Sequence, residues 1–201
     1  PLWPLPDGLI LPPATYWAML DDAPLDAGRA SWAELYVDGS TNATGAAWSV
    51  VVVQTDGIAH RFIGTIFGRV EHESSCPAWI GATTFDNIAA EFTAFAIAMD
   101  LACRMGPVVS VIRPDLQLSA HVATQQCVTD SNVQLAKLIA VLHAWLPPGS
   151  HVQEVRGHCA HPWNDLADAL ARWALLHEPP IRHSVPVLHQ LAQSPADLQW
   201  A

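Results

Sequence analysis

Two β-branched runs, Ala46–Gln54 and Ile58–Ile66, meet at Thr55-Asp56-Gly57, and this junction constrains the fold most. An Asp-Gly pair between such runs signals a hairpin, because those turns need positive φ. Upstream, Glu34–Asp38 reads as a short strand that breaks at Gly39. Three antiparallel strands are therefore expected in the first half. A Gly-, Pro- and Ser-containing loop, Arg69–Thr83, leads to a long helix. Asp86 or Asn87 caps it, Ile88, Phe92, Phe95 and Met99 form its apolar face, and Met105-Gly106-Pro107 ends it near Arg104. Val108–Ile112 reads as a buried strand closed by Arg113-Pro114. Helices at about Leu116–Gln126 and Asn132–Trp145 follow, then a last strand at Val152–Val155 and a final helix at Trp163–His177. Strands alternating with helices in this order predict an α/β domain with a mixed sheet and helices on its faces.

The ends differ from this middle. Residues 1–31 carry prolines (Pro1, Pro4, Pro6, Pro12, Pro13, Pro24) and lack periodicity, as an irregular lead-in or linker does. Residues 179–201 are again punctuated by proline. The expected domain spans residues 32–178. With 201 residues, 51% of them hydrophobic and 14% charged, the chain has enough apolar side chain for one sizeable core. Its apolar runs fall short of the roughly eighteen residues that a membrane span needs, so no membrane partner is expected. A start at Pro1 without a leader pattern reads as a segment of a longer protein. The scattered cysteines Cys76, Cys103, Cys127 and Cys159 fit a reducing, intracellular setting, in cytoplasm or nucleus.

Four acidic residues stand out by position. Asp38 ends the first strand, Glu91 lies about one turn into the first helix, Asp115 follows the fourth strand, and Asp168 lies in the last helix. Carboxylates so placed can converge at one sheet edge. Like charges in one place cost several kcal/mol unless cations neutralise them. Hard oxygen donors select Mg²⁺ or Mn²⁺ over zinc. The net charge of −10 suits such a cluster, yet runs against a stand-alone nucleic-acid binder, which meets phosphates with a basic surface.

The order and company of these acids resemble type-1 ribonuclease H. Asp38-Gly39-Ser40, Glu91, Asp115 and the run Gly157-His158 to Asn164 to Asp168 carry the likeness, over roughly Ala33 to His177. The most specific piece is Val155–Asp168, a Gly-His pair, then Asn, then Asp four residues on, entering an Ala/Leu helix. It looks most like the versions joined to reverse transcriptases in non-LTR retrotransposon-like elements. The resemblance implies a ribonuclease H-like fold: a five-stranded mixed sheet, three antiparallel strands and then two parallel ones, with helices on both faces. It implies an endoribonuclease that cuts the RNA strand of an RNA/DNA hybrid by a two-metal-ion mechanism. Asp38, Glu91, Asp115 and Asp168 would bind two Mg²⁺ ions, with Mn²⁺ as substitute. His158, on the loop before the last helix, would assist proton transfer or product release. Gly39, Ser40 and Asn42 would meet the 2′-hydroxyls of the RNA strand. Asn164, one turn before Asp168, would touch substrate or orient the acid.

The chain departs from that family in two places. Pro114 and Leu116 flank Asp115 where small polar residues are usual. The long loop before Glu91 adds Glu71 and Glu73 beside the expected substrate path. Basic residues are nearly absent between Asp115 and His158, Lys137 apart, so a neighbouring reverse transcriptase domain is the expected source of grip on the hybrid.

Other readings compete. Asp165 rivals Asp168, which the Asn164 spacing favours. His151, His158, Cys159 and His161 form one loose cluster, whereas structural zinc wants two tight pairs. His72, His121, His143 and His177 read as surface or satisfied histidines. Trp48, Trp145 and Trp173 are expected in the core, and Trp79 and Trp163 beside the site, where they could touch substrate. A catalytically inactive ribonuclease H-like module, structural or nucleic-acid-binding, and another nuclease or strand-transfer enzyme of the same superfold are the alternatives to the ribonuclease H reading.

Overall fold

A computed structural model of the chain describes residues 30–106, 108–127, 129–155 and 161–177. Both proline-rich ends, apart from a residue or two at the margins, and the Gly157-His158 pair lie outside the described residues. The first half folds into three antiparallel strands: β1 (Trp32–Asn42), β2 (Gly45–Thr55) and β3 (His60–Arg69). Helix α1 (Asn87–Arg104) follows, then β4 (Ser110–Arg113), α2 (Gln117–Ala123), α3 (Val133–Ala144), β5 (His151–Val152) and α4 (Pro162–Leu176). The sheet order is β3-β2-β1-β4-β5, with β4 parallel to β1 and β5 parallel to β4.

The alternation of side chains along a strand explains why β2 reads as an unbroken apolar run. Val50 and Val52 enter one core with α1, α2 and α3, while Val51 and Val53 enter a second core with α4. Strand β1 splits likewise, with Leu35 and Val37 on the α1 side and Tyr36 on the α4 side. Helices therefore cover both faces of the sheet. Helix α1 is buried from Ala89 through Met99, because its many alanines let it lie close to the sheet and to α3. Its cap is Asp86, whose Oδ1 accepts the Ala89 backbone N–H at 2.7 Å.

Several expected boundaries move. Gly39 does not break β1; the strand runs on to Asn42, whose side chain accepts from the Thr44 N–H and hydroxyl at 2.8 and 2.7 Å to shape the turn into β2. At the second turn Gly57 takes φ +87, and Asp56 Oδ1 accepts the N–H groups of Ile58 and Ala59. Ile58 thus belongs to the turn, not to β3. A bulge at Ile63 then shifts the β2–β3 register between Val52 and Val53. Helix α2 and strand β5 are shorter than expected, at 7 and 2 residues. Pairing beyond β5 persists as single bonds, Gln153 N–H to the Ile112 carbonyl and Val155 N–H to the Pro114 carbonyl.

Two tryptophans depart from their expected core places. Trp48 is buried, but Trp145 is 55% exposed, because it caps α3 beyond the last inward-facing turn at Leu142. Trp173 is half-buried and meets Phe67 edge-on, with ring centroids 5.4 Å apart. Among the described residues no helix is long and apolar enough to cross a membrane.

Candidate metal centre

Three of the four expected acids converge. Strands β1 and β4 are adjacent and parallel, with Tyr36 opposite Arg113. Asp38 and Asp115 each follow that register position by two residues, so they leave the sheet at the same end. Glu91 arrives from α1, and Gly39 lets it come close. A Cβ placed on Gly39 would stand 2.6 Å from both the Ala90 Cβ and the Glu91 nitrogen, inside any real contact distance. The bare backbone of Gly39 therefore lets the first turns of α1 press onto β1. Carboxylate oxygens of Asp38, Glu91 and Asp115 lie within 4.8 Å of one another.

The electrostatics of this group are unfavourable without a counter-charge. Asp38 is 6% exposed and Glu91 is 4% exposed. Burial, and then the charges of Asp115 and Asp168, push the Asp38 carboxyl up to about 8. Burial, and then Asp38 and Asp115, hold Glu91 well above the usual carboxylate range. The Gly39 backbone N–H offsets part of this rise for both carboxyls. Glu91 Oε2 is nevertheless buried without a hydrogen-bond partner. Carboxylate donors alone, one with a free buried oxygen, fit a hard divalent cation.

Asp168 stands at the rim of this group. Its charge acts on Asp38, and its carboxylate is ion-paired with Arg172 one turn along α4. Its competitor Asp165 is exposed in the first turn of α4 and is not among the charges acting on Asp38. Asn164 is buried at 3% exposure, with an Oδ1 that lacks a hydrogen-bond partner. Along β1 beyond Asp38, Gly39 is buried, Ser40 half-buried and Asn42 exposed at the turn. His158 lies outside the described residues, as do Gly157 and Cys159. Among the described residues neither His151 nor His161 joins a metal-holding group; only the three acids form one.

Both tryptophans expected to touch substrate are buried. Trp163, in the first turn of α4, is fully buried and stacks near Phe62, with centroids 6.4 Å apart. Trp79 is also buried, its indole N–H donating to the Ala82 carbonyl at 2.6 Å.

A second buried polar group escaped the sequence reading. Glu34 lies on the same strand face as Tyr36 and Asp38. It accepts from the Tyr36 hydroxyl at 2.6 Å, from Arg113 at 2.6 Å and from the Trp32 indole at 3.3 Å. Burial alone would raise its pKa, but hydrogen bonds from Arg113 and Tyr36 outweigh it and leave the carboxyl below its ordinary value. The available signal was the strand period, which places an acid at Glu34 on a face that β1 otherwise buries.

The raised acids are expected to make the metal-free protein sensitive to alkali. A carboxyl whose folded pKa exceeds its unfolded one adds stability below the unfolded value, and loses it as pH rises through the folded value. For Asp38 that window runs from about 4 to about 8. Glu91 acts in the same direction, whereas Glu34, with its lowered pKa, loses its contribution only in acid. In chelator, Tm is expected to fall between pH 5 and pH 8.5, and added divalent cation should remove most of that fall. A Tm in chelator that holds level or climbs over this range contradicts the clustering of the acids.

Three antiparallel strands followed by two parallel ones, with α1–α3 on one face and α4 on the other, make up a ribonuclease H-like fold. Solved structures share it. RNase H1 from the halophilic archaeon Halobacterium salinarum NRC-1 matches with a TM-score of 0.52 and 20% identity, over 71% of this chain and 96% of that one. The N-terminal RNase H domain of rv2228c from Mycobacterium tuberculosis matches with a TM-score of 0.52 and 17% identity, over 81% of this chain and 97% of that one. LC11-RNase H1, solved in complex with RNA/DNA hybrid, matches with a TM-score of 0.50 and 15% identity, over 71% of this chain and 99% of that one. No family model matches the sequence, and no curated protein matches it.

Proposed function

We propose that this chain is a metal-dependent endoribonuclease that hydrolyses the RNA strand of RNA/DNA hybrids. The observation that carries this reading is the meeting of Asp38, Glu91 and Asp115 oxygens within 4.8 Å at one end of a ribonuclease H-like sheet. These three residues, with Asp168, would hold two Mg²⁺ ions, for which Mn²⁺ is the natural substitute. A bound pair of ions supplies an activated water and neutralises charge on the leaving oxygen of a phosphodiester.

The protein's own part is positional. Asp38 comes from β1, Asp115 follows the end of the adjacent parallel strand β4, and Glu91 comes from a helix held against β1, so the fold brings the donors together before any ion arrives. Gly39, Ser40 and Asn42 continue β1 past the acids and are the proposed contacts for RNA 2′-hydroxyls. Asn164, buried one turn before Asp168, would orient that acid or reach the substrate. His158 would move a proton near the leaving group. The fit to hybrid is supported by the likeness to LC11-RNase H1, itself solved with an RNA/DNA hybrid.

The proposed setting is intracellular, within a reverse-transcribing element. Its support is the resemblance of the Gly157-His158 to Asn164 to Asp168 run to retroelement ribonucleases H. The net charge of −10 accords with a neighbouring reverse transcriptase domain gripping the phosphates. One observation favours a second reading, a non-catalytic module that binds hybrid: Arg172 already engages the carboxylate of Asp168.

Labelled RNA/DNA hybrid, duplex RNA and duplex DNA, each given with Mg²⁺, Mn²⁺ or chelator, test the choice. Internal cleavage confined to the RNA strand of hybrid, and lost in chelator, is expected. Hybrid binding without cleavage under any metal supports the non-catalytic module instead.

A further inference from the structure

We propose that Ser49 is a positioning residue that sets the place of the α4 acid, Asp168, relative to Asp38. The proposal rests on reading the acids as a metal centre. Ser49 sits on β2 directly opposite Asp38 on β1. It is fully buried, and its hydroxyl donates to the Ala167 carbonyl at 2.7 Å, across 118 residues of sequence. Ala167 is the residue immediately before Asp168. One hydrogen bond therefore links the sheet position paired with the first acid to the backbone that carries the fourth.

The surroundings give this bond its weight. The neighbouring β2 residues on the same face are Ala47, Val51 and Val53, and they meet Leu166, Leu170 and Ala174 of α4 through apolar contact. Apolar contact is not directional, so the axial placement of the helix falls to its polar contacts with the sheet: Arg69 of β3 donates to the Leu175 carbonyl near the far end of α4, and Ser49 donates beside Asp168. A slide of one residue along a helix axis is about 1.5 Å, enough to spoil a shared coordination site. The hydroxyl-to-carbonyl bond is directional and resists that slide. It uses the second lone pair of a carbonyl in mid-helix, so its loss strands no acceptor. Removal should therefore affect the placement of Asp168 more than the integrity of the fold.

Mn²⁺ binding to the full chain, followed by calorimetry and by the signal of free Mn²⁺ in solution, tests the proposal. Ser49→Ala should weaken binding about tenfold, in the range for loss of a group that orients a ligand. Its Tm should fall only a few degrees. Val51→Ala, a fully buried change on the same strand face, should lower Tm at least as far and leave Mn²⁺ affinity as in wild type. Ser49→Thr, which keeps the hydroxyl, should recover most of the lost affinity. Wild-type affinity in Ser49→Ala, or equal weakening in Val51→Ala, overturns the role of Ser49 alone. A wild-type chain that binds no Mn²⁺ overturns the metal centre and, with it, this proposal.

Discussion

Asp38→Asn is expected to abolish metal-dependent cleavage of hybrid while making the metal-free protein more stable at pH 8. The two effects have one cause. Asp38 is buried among carboxylates, and burial with the charges of Asp115 and Asp168 pushes it up to about 8. An amide removes one buried charge from the cluster and keeps the shape of the side chain. Relief of that repulsion should stabilise the chelated protein by about 2 kcal/mol, a discounted share of what the shift implies. On the proposed mechanism the same change also removes a ligand of the metal pair, which should cost several kcal/mol in the transition state, or roughly 10³-fold or more in rate. Thermal unfolding in chelator and cleavage of labelled hybrid check the two halves. A variant that loses both activity and stability would mean that Asp38 serves the fold and not the site.

Gly39→Ala should be the most disruptive small substitution on β1. The added methyl would meet Ala90 and the Glu91 backbone at 2.6 Å, and backbone at that distance cannot step aside cheaply. Overpacking of this kind costs about 1–3 kcal/mol. The expected relief is a shift of the α1 N-terminal turns away from the sheet, which takes Glu91 out of reach of Asp38. Stability in chelator should fall, and divalent-ion affinity should fall with it. Chemical denaturation and metal titration of the same preparation measure both. Unaltered stability and affinity would mean that the close approach of helix and strand is dispensable.

Gly39 also marks where the sequence stopped being legible. Glycine after a strand reads as punctuation, and nothing local distinguishes that from glycine demanded by a helix arriving about fifty residues later. The hairpin at Asp56-Gly57 was legible because turn chemistry is local; its length was not, since Asp56 captures two further N–H groups and draws Ile58 into the turn. Asp38, Glu91 and Asp115 could be placed on their elements from periodicity and breakers alone. Their meeting could not be derived that way, because it depends on β4 lying parallel to β1, and the expectation rested on resemblance.

The tryptophans show the limit of residue type as a guide. Trp145 reads as core and is exposed, because the helix ends one turn too soon to turn it inward. Trp163 reads as a rim residue and is fully buried, because α4 lies on the sheet and turns this ring toward Phe62. Ser49 had no signal at all. A serine in a valine-rich strand gives no hint of a carbonyl 118 residues away. Such long-range polar contacts are set by how helices lie on the sheet, which periodicity does not encode.

Asp38, Glu91 and Asp115, distant in sequence, are expected to form one divalent-ion site. A crystal structure of the chain soaked in Mn²⁺, with anomalous scattering to locate the metal, tests it most directly. Anomalous peaks bounded by the side chains of Asp38, Glu91 and Asp115 are the predicted result. A saturating soak that leaves no peak there, or places manganese only on other surface acids, would contradict the account.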